Sequence, residues 1–143
     1  MFAKSFVVTW LAVAVAAAGC ATAGSARAGT PEAARPGRTV HETLRRAIAL
    51  LERSDCPTFA VNFLSPIKRD QIKDLEAYRK QRECGPTARA NVDDVLLAMR
   101  LALGAEPSVQ GVKATIDLSG IGLRVTKFEF VKYVDGLWYF NEL

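Results

Sequence analysis

Histidine occurs once in the chain, at His41, and cysteine only three times, at Cys20, Cys56 and Cys84. One imidazole and three widely spaced thiols do not match the ligand spacing of a zinc site, so no metal is expected. The same scarcity means that a Ser/His/Asp or Cys/His nucleophile system could run only through His41. Long apolar runs are missing too. The stretch "FVVTWLAVAVAAA", Phe6 to Ala18, has thirteen residues. As a helix it reaches about 20 Å, short of the ~30 Å hydrocarbon core, so it is not expected to span a membrane. Charge of one sign is not in excess: 19 basic residues face 15 acidic ones, and loss of Lys4 with a leader leaves +3. That balance excludes an electrostatic nucleic-acid binder. There is no internal repeat and no cofactor motif. "SGIG" at Ser119–Gly122 is too short for a phosphate loop and lacks a lysine and a following helix. No cofactor is expected.

What the N-terminus does have is one positive charge, the apolar run, and then small residues, the layout of an export signal. Ordinary cleavage after "ATA" (Ala21–Ala23) or "ARA" (Ala26–Ala28) would release a freely soluble secreted protein. The tetrapeptide "AAGC", Ala17 to Cys20, resembles the lipobox of bacterial lipoproteins, although Ala17 stands where that signal usually has Leu. The resemblance implies that Cys20 becomes the lipidated first residue and ties the chain to a membrane. Ala21, in place of the Asp common in inner-membrane lipoproteins, implies outer-membrane sorting in a Gram-negative cell. The following segment is rich in Ala, Gly, Pro and Arg without apolar periodicity, as suits a flexible tether. The expected organisation is a signal peptide at 1–19, a tether at 20–37 and a single domain at 38–143, located in the periplasm or at the outer membrane.

Lipidation or removal of Cys20 leaves Cys56 and Cys84 in an oxidising compartment, where a disulfide persists. The alternative is two reduced core thiols. The disulfide would close a loop of 28 residues, which stabilises by roughly 3–4 kcal/mol in the chain-entropy model.

Within the domain, Thr39 and Glu42 form a capping pattern. Val40, Leu44, Ala47, Ile48 and Leu51 then share one helical face. His41 falls in the first turn, where the bland reading is a solvated side chain. "CPTFAVNFLSP" is bracketed by prolines and reads as one or two helical turns with boundaries at Cys56 and Ser65. Ser65 and Pro66 are expected to start a third helix through "PIKRDQIKDLEAYRKQREC", with a narrow stripe of Ile67, Ile72, Leu75 and Tyr78 and a charged, solvated remainder. A further helix is expected from an Asn91 cap, burying Val92, Val95, Leu96, Met99 and Leu103 and ending at Gly104. Asp93 and Asp94 in its first turn are accounted for by the helix dipole rather than by catalysis.

After Pro107 the period becomes two. Val112, Ala114, Ile116 and Leu118 alternate with polar residues. "LRVTKFEFVKYV" reads as a long strand whose apolar phase switches between Val125 and Phe128, the mark of a bulge or bend. Asp135–Gly136 signals a two-residue hairpin turn returning into "LWYFNEL". Pairing Val134 with Leu137 puts Phe128, Phe130, Val134, Leu137 and Tyr139 on one face, and Val131, Tyr133, Trp138 and Phe140 on the other. Both faces are then apolar; helices can cover one, and the second is to be covered by another part of the fold, as in a sheet wrapped around its own helices, or by a partner or a ligand.

Helices first, then a curved antiparallel sheet of three or more strands, describes an α+β protein. Together with "FLSP" at Phe63–Pro66 and the closing "DG-x-W" of Asp135, Gly136 and Trp138, this order resembles the cone-shaped roll of the nuclear-transport-factor-two-like, or cystatin-like, superfamily. The resemblance implies a pocket on the concave side of the sheet. Enzymes of that superfamily use Tyr, Asp or His side chains projecting into the cone, and no such set carries over here. Asp117 and Glu129 lie on the polar or out-of-phase sides of their strands, and Tyr133 and Tyr139 fall on opposite faces by the pairing above. The functional expectation is a non-catalytic, envelope-located binding module, holding an apolar small molecule or a protein partner on the aromatic surfaces of Phe128, Phe130, Tyr133, Trp138, Tyr139 and Phe140. Its alternatives are a pocket enzyme of the isomerase or dehydratase kind, with Tyr133 or Tyr139 as proton donor, and an assembly lipoprotein whose only contact is an oligomer interface.

Overall fold

The first helix, α1 (Val40–Glu52), starts where the capping pattern places it. Thr39 Oγ1 accepts from the Glu42 N–H at 3.1 Å, and Glu42 Oε2 reaches back to the Arg38 N–H at 2.7 Å. Val40, Leu44, Ala47, Ile48 and Leu51 are all buried, joined by Thr43 and Leu50. At the other end Ser54 adopts a left-handed conformation (φ 59°), and the N–H groups of Ser54 and Asp55 return to the carbonyls of Leu51 and Leu50. A computed structural model describes residues 31–142. The expected signal peptide, the expected lipidation site Cys20 and the expected tether up to Thr30 lie outside the described residues.

Three short helices follow: α2 (Cys56–Asn62), α3 (Pro66–Asp70) and α4 (Leu75–Gln81). The single third helix expected from Ser65 to Cys84 is therefore two. Asp74 supplies a new cap, its Oδ1 accepting from the Ala77 N–H at 2.9 Å, whereas Ser65 makes no side-chain cap bond. The physical reason is the thin stripe: neither α3 nor α4 buries a residue, and Ile67 is 63% exposed. Too little apolar surface is covered to favour one long helix over a local break with its own cap. α5 (Pro86–Ala102) starts at a Gly85 cap with Pro86 in its first turn, six residues before the expected Asn91 cap. Leu96, Ala98, Met99 and Ala102 are its buried residues.

The sheet is a four-stranded antiparallel meander in the order β1 (Ser108–Gln110), β2 (Lys113–Asp117), β3 (Lys127–Lys132), β4 (Trp138–Phe140). The protein is thus α+β, with five α-helices ahead of the sheet among the described residues. In β2 the alternation holds for Ala114 and Ile116, with Leu118 buried just beyond it, but Val112 sits at the β1–β2 turn and is 58% exposed. β3 begins only after the phase switch. Leu123 and Val125 precede it, half-buried against the core in irregular chain. One hydrophobic cluster unites α1, α2 and α5 with β2, β3 and β4, including Leu44, Phe63, Met99, Ile116, Phe130 and Phe140.

All three residues of β4 are buried, so the edge that faces away from β3 needs partners other than water. Four groups need them and four find them. The Trp138 N–H donates to the Gly37 carbonyl at 2.9 Å, and the Trp138 carbonyl accepts from Thr43 Oγ1 at 2.9 Å. The Phe140 N–H donates to the Phe63 carbonyl at 2.9 Å, and the Phe140 carbonyl accepts from the Ser65 N–H at 3.1 Å, a parallel bridge centred on Leu64. Gly37 also donates its N–H to Thr43 Oγ1 at 2.9 Å. A Cβ at Gly37 would lie 2.5 Å from Glu42 Cβ, so only glycine fits. Residues 31–37, which their composition assigns to the tether, are in fact part of the fold. They carry a 3-10 turn at Glu32–Ala34 and buried Pro36 and Gly37, and Arg46 donates to the Glu32 carbonyl at 2.9 Å.

Thr43→Val keeps the shape of the side chain but strands the Gly37 N–H and the Trp138 carbonyl. The expected result in urea unfolding is a loss of about 1–3 kcal/mol, with Thr43→Ser recovering most of it. Equal stability of Thr43→Val and the wild type would refute this role.

Candidate functional site

The hairpin that carries the aromatic residues is built one residue out of the expected register. Phe130 pairs with Phe140, Val131 with Tyr139 and Lys132 with Trp138. The Tyr133 N–H donates to the Leu137 carbonyl at 3.0 Å and the Gly136 N–H to the Tyr133 carbonyl at 2.8 Å. Val134, Asp135 and Gly136 therefore form a three-residue loop, with Gly136 at φ 79° in the left-handed position. Val134 is fully exposed at its tip instead of facing Leu137. The two-residue turn is corrected, and with it both faces, because a slip of one residue transfers a strand's side chains to the other side.

Phe128, Phe130, Trp138 and Phe140 now share the core face. The three phenylalanine rings pack on one another and Phe140 on Phe59 of α2, with Phe130 and Phe140 centroids 4.7 Å apart and Phe59 and Phe140 5.7 Å apart, and Trp138 belongs to the same cluster. Tyr133 and Tyr139 lie together on the opposite face, in an edge-to-face pair at 5.6 Å, and not on opposite faces as expected. That second face is covered by the chain itself. Tyr133 Oη accepts from the Ile67 N–H of α3 at 3.1 Å, and Tyr139 Oη donates to Asp135 Oδ2 at 2.7 Å. Burial and the Asp135 carboxylate push the Tyr139 phenol up to about 12. Asp135 Oδ1 accepts from the Leu137 N–H at 2.9 Å, so both of its oxygens serve the turn. The six aromatic residues singled out from sequence thus form a core quartet and a covered tyrosine pair.

The other displaced titratable groups are equally local. Backbone donation from Arg38 lowers Glu42. The Ser119 hydroxyl lowers Asp117. Lys127 and Glu129, 2.6 Å apart, form a pair in which Glu129 raises Lys127 and Lys127 lowers Glu129. His41 is only partly exposed, its Nε2 lying 3.0 Å from the Ala105 carbonyl beyond α5.

An open apolar recess lies elsewhere, between α2, α4 and α5. Its volume is about 250 Å³, with Leu51, Phe59, Ala60, Tyr78, Val92 and Val95 among its walls. The Arg82 guanidinium sits over the Tyr78 ring at 4.9 Å at one side of it. Cys56 contributes to the wall and is disulfide-bonded to Cys84, with a Cα–Cα distance of 5.5 Å. The bond ties the start of α2 to the short connection between α4 and α5. Sequence reading missed this recess because its residues come from four separate segments, each with the ordinary pattern of a core-facing helix. The Cys56–Cys84 pair was the one available signal. Among the described residues no group of three or more His, Cys, Asp or Glu side chains is placed to hold a metal, and no helix is long and apolar enough to cross a membrane. Comparison with protein-family models, curated proteins and solved structures gives no match.

Two outcomes follow from this geometry. The raised Tyr139 phenol favours its protonated form in the folded state. Its contribution is therefore fully present below the ordinary value of 10 and is lost as pH rises towards about 12. Stability measured across that range should fall more steeply in the wild type than in Tyr139→Phe. Parallel curves would refute the assignment. Replacing Cys56 and Cys84 together with Ala should lower the unfolding free energy by roughly 3–4 kcal/mol in urea titrations, and no change would mean that the bond restrains nothing.

Proposed function

We propose that the protein is an exported, non-catalytic binding module, anchored through lipid on Cys20, that takes an apolar ligand group into the recess between α2, α4 and α5. The observation that carries this reading is the recess itself: a concavity of about 250 Å³ with mainly apolar walls and open to solvent. Apolar surface of this kind gains free energy when a ligand removes it from water. The Cys56–Cys84 bond at its rim supports export, because such a bond persists in an oxidising compartment.

Several features favour binding over catalysis. None of the groups with a displaced proton affinity lines the recess. Tyr139 is shifted away from the range in which a phenol exchanges protons at neutral pH, and its hydroxyl is donated to Asp135. The likeness to the cone-shaped superfamily roll enters here with a changed site. The space beneath the sheet is filled by Phe63, Phe130, Phe140, Met99 and Ile116, each fully buried, and a ligand is accommodated between the helices instead.

Two measurements test the reading. A neutral naphthylamine dye should gain fluorescence with the wild-type protein, and Ala60→Phe, which fills the recess, should abolish the gain. Undiminished binding by that variant would refute the site. Mass spectrometry of the mature protein should find diacylglycerol on an N-terminal Cys20. A mature chain that begins after Ala23 or Ala28 would replace the anchored protein with a soluble one.

A further inference from the structure

A second, more polar cleft of about 470 Å³ lies where the N-terminal turn, the end of α1, α2 and α4 meet. Arg79 of α4, Arg53 just past α1, and Thr58 and Asn62 of α2 line it, and Pro31 and Ala34 form the wall nearest the N-terminus. Arg79 is half-buried. Its Nε is shielded from solvent and has no hydrogen-bond acceptor among the described residues. A buried charged donor without an acceptor is costly, and one that persists in a folded protein calls for a partner from outside the chain. Arg53 donates its Nε to the Ala49 carbonyl at 3.1 Å, which orients the side chain and leaves both terminal nitrogens available. Neither arginine has a carboxylate within 4.0 Å among the described residues. Asp55, the acidic residue of the cleft, is engaged as the cap of α2, its Oδ1 accepting from the Thr58 N–H at 3.3 Å. Asn62 Nδ2 donates to the Ala34 carbonyl at 2.9 Å, fastening the N-terminal wall in place.

We propose that this cleft binds a phosphate group, held by the guanidinium groups of Arg79 and Arg53 with the Thr58 hydroxyl beside them. Guanidinium is planar, permanently charged and matched to oxyanions through paired N–H donors. Two such groups and a hydroxyl offer more donors than a carboxylate can accept, whereas the oxygens of a phosphate can use them. The phosphate has two sources that this chemistry does not separate, a soluble phosphate compound and a phospholipid headgroup. The second is within reach under the proposed anchoring at Cys20. Ten residues separate Cys20 from Pro31, which caps their distance at roughly 40 Å.

The test is an NMR titration of the isotope-labelled protein with inorganic phosphate at constant ionic strength, following the Arg79 Nε–H and the Thr58 amide. Saturable shifts of both are expected, with affinity about tenfold weaker in Arg79→Lys and in Arg53→Gln. Arg45→Gln, an exposed arginine outside the cleft, should bind as the wild type does. The two cleft variants guard against a change of fold, since Arg53 is exposed and its replacement leaves the core untouched. Sedimentation with phosphatidylglycerol vesicles then assigns the source. Arg79-dependent co-sedimentation of unlipidated protein means a headgroup, and its absence alongside saturable phosphate binding means a soluble compound. Absence of saturable shifts, or equal affinity in wild type, Arg79→Lys and Arg53→Gln, would overturn the proposal.

Discussion

A strand buried on both faces and at one edge is an expensive object unless every backbone group on that edge is paired, and β4 is such a strand. Its outward N–H and carbonyl groups at Trp138 and Phe140 are satisfied by Gly37, Thr43, Phe63 and Ser65. These partners come from the chain ahead of α1, from α1 itself and from the segment between α2 and α3. The last strand is therefore the place where the N-terminal half of the domain is locked to the C-terminal half. Its pairing is non-local, so its formation carries the loop-closure cost of bringing the two halves together. The open edge of the sheet is left to β1, which is three exposed residues long and thereby too short to invite another chain.

The same constraint decides where the aromatic residues go. With Trp138 and Phe140 directing their free backbone groups at α1 and at Phe63–Ser65, the strand's side chains must alternate about that plane. Phe140 then meets Phe130 and Phe59, while Tyr139 meets Tyr133 and the Asp135 turn. Two apolar faces on one ribbon do not require an external partner. One belongs to the core, and on the other Tyr139 is buried against Tyr133 and the Asp135 turn, with the Ile67 N–H reaching Tyr133. Apolar character on both sides of a strand is thus a sign of burial before it is a sign of binding.

Much of this was legible in the residues, and the failures share a cause. α1 was readable to the residue because its cap, its Glu42 and its apolar face are all local signals that agree. The Cys56–Cys84 pair followed from counting thiols, and the alternation of β2 from its period. The hairpin register was not legible from Asp135–Gly136, since the same dipeptide serves a two-residue turn and the last two positions of a three-residue loop. The choice between them was made at a distance, by Phe130, Phe140 and the partners of β4. The break between α3 and α4 escaped for the opposite reason: a weak apolar stripe let a local Asp74 cap win over helix continuation. Residues 31–37 looked like linker because two glycine-level contacts, Gly37 to Thr43 and to Trp138, leave no mark in composition.

α4 gathers these threads. It buries no residue of its own, so packing alone gives it little reason to stay. What holds it is its neighbour α2 on one side and, three residues past its end, the bond from Cys84 to Cys56. Yet this sparsely packed helix presents Tyr78, with Arg82 just past its end, to the apolar recess and Arg79 to the polar cleft. A helix that belonged to the core would have spent those side chains on burial. Keeping α4 outside the core and stapling its far end leaves it lining both a mainly apolar recess and a mixed, more polar cleft. Core residues Leu51 and Phe59 supply part of the recess wall, and α4, held by the disulfide rather than by burial, supplies Tyr78.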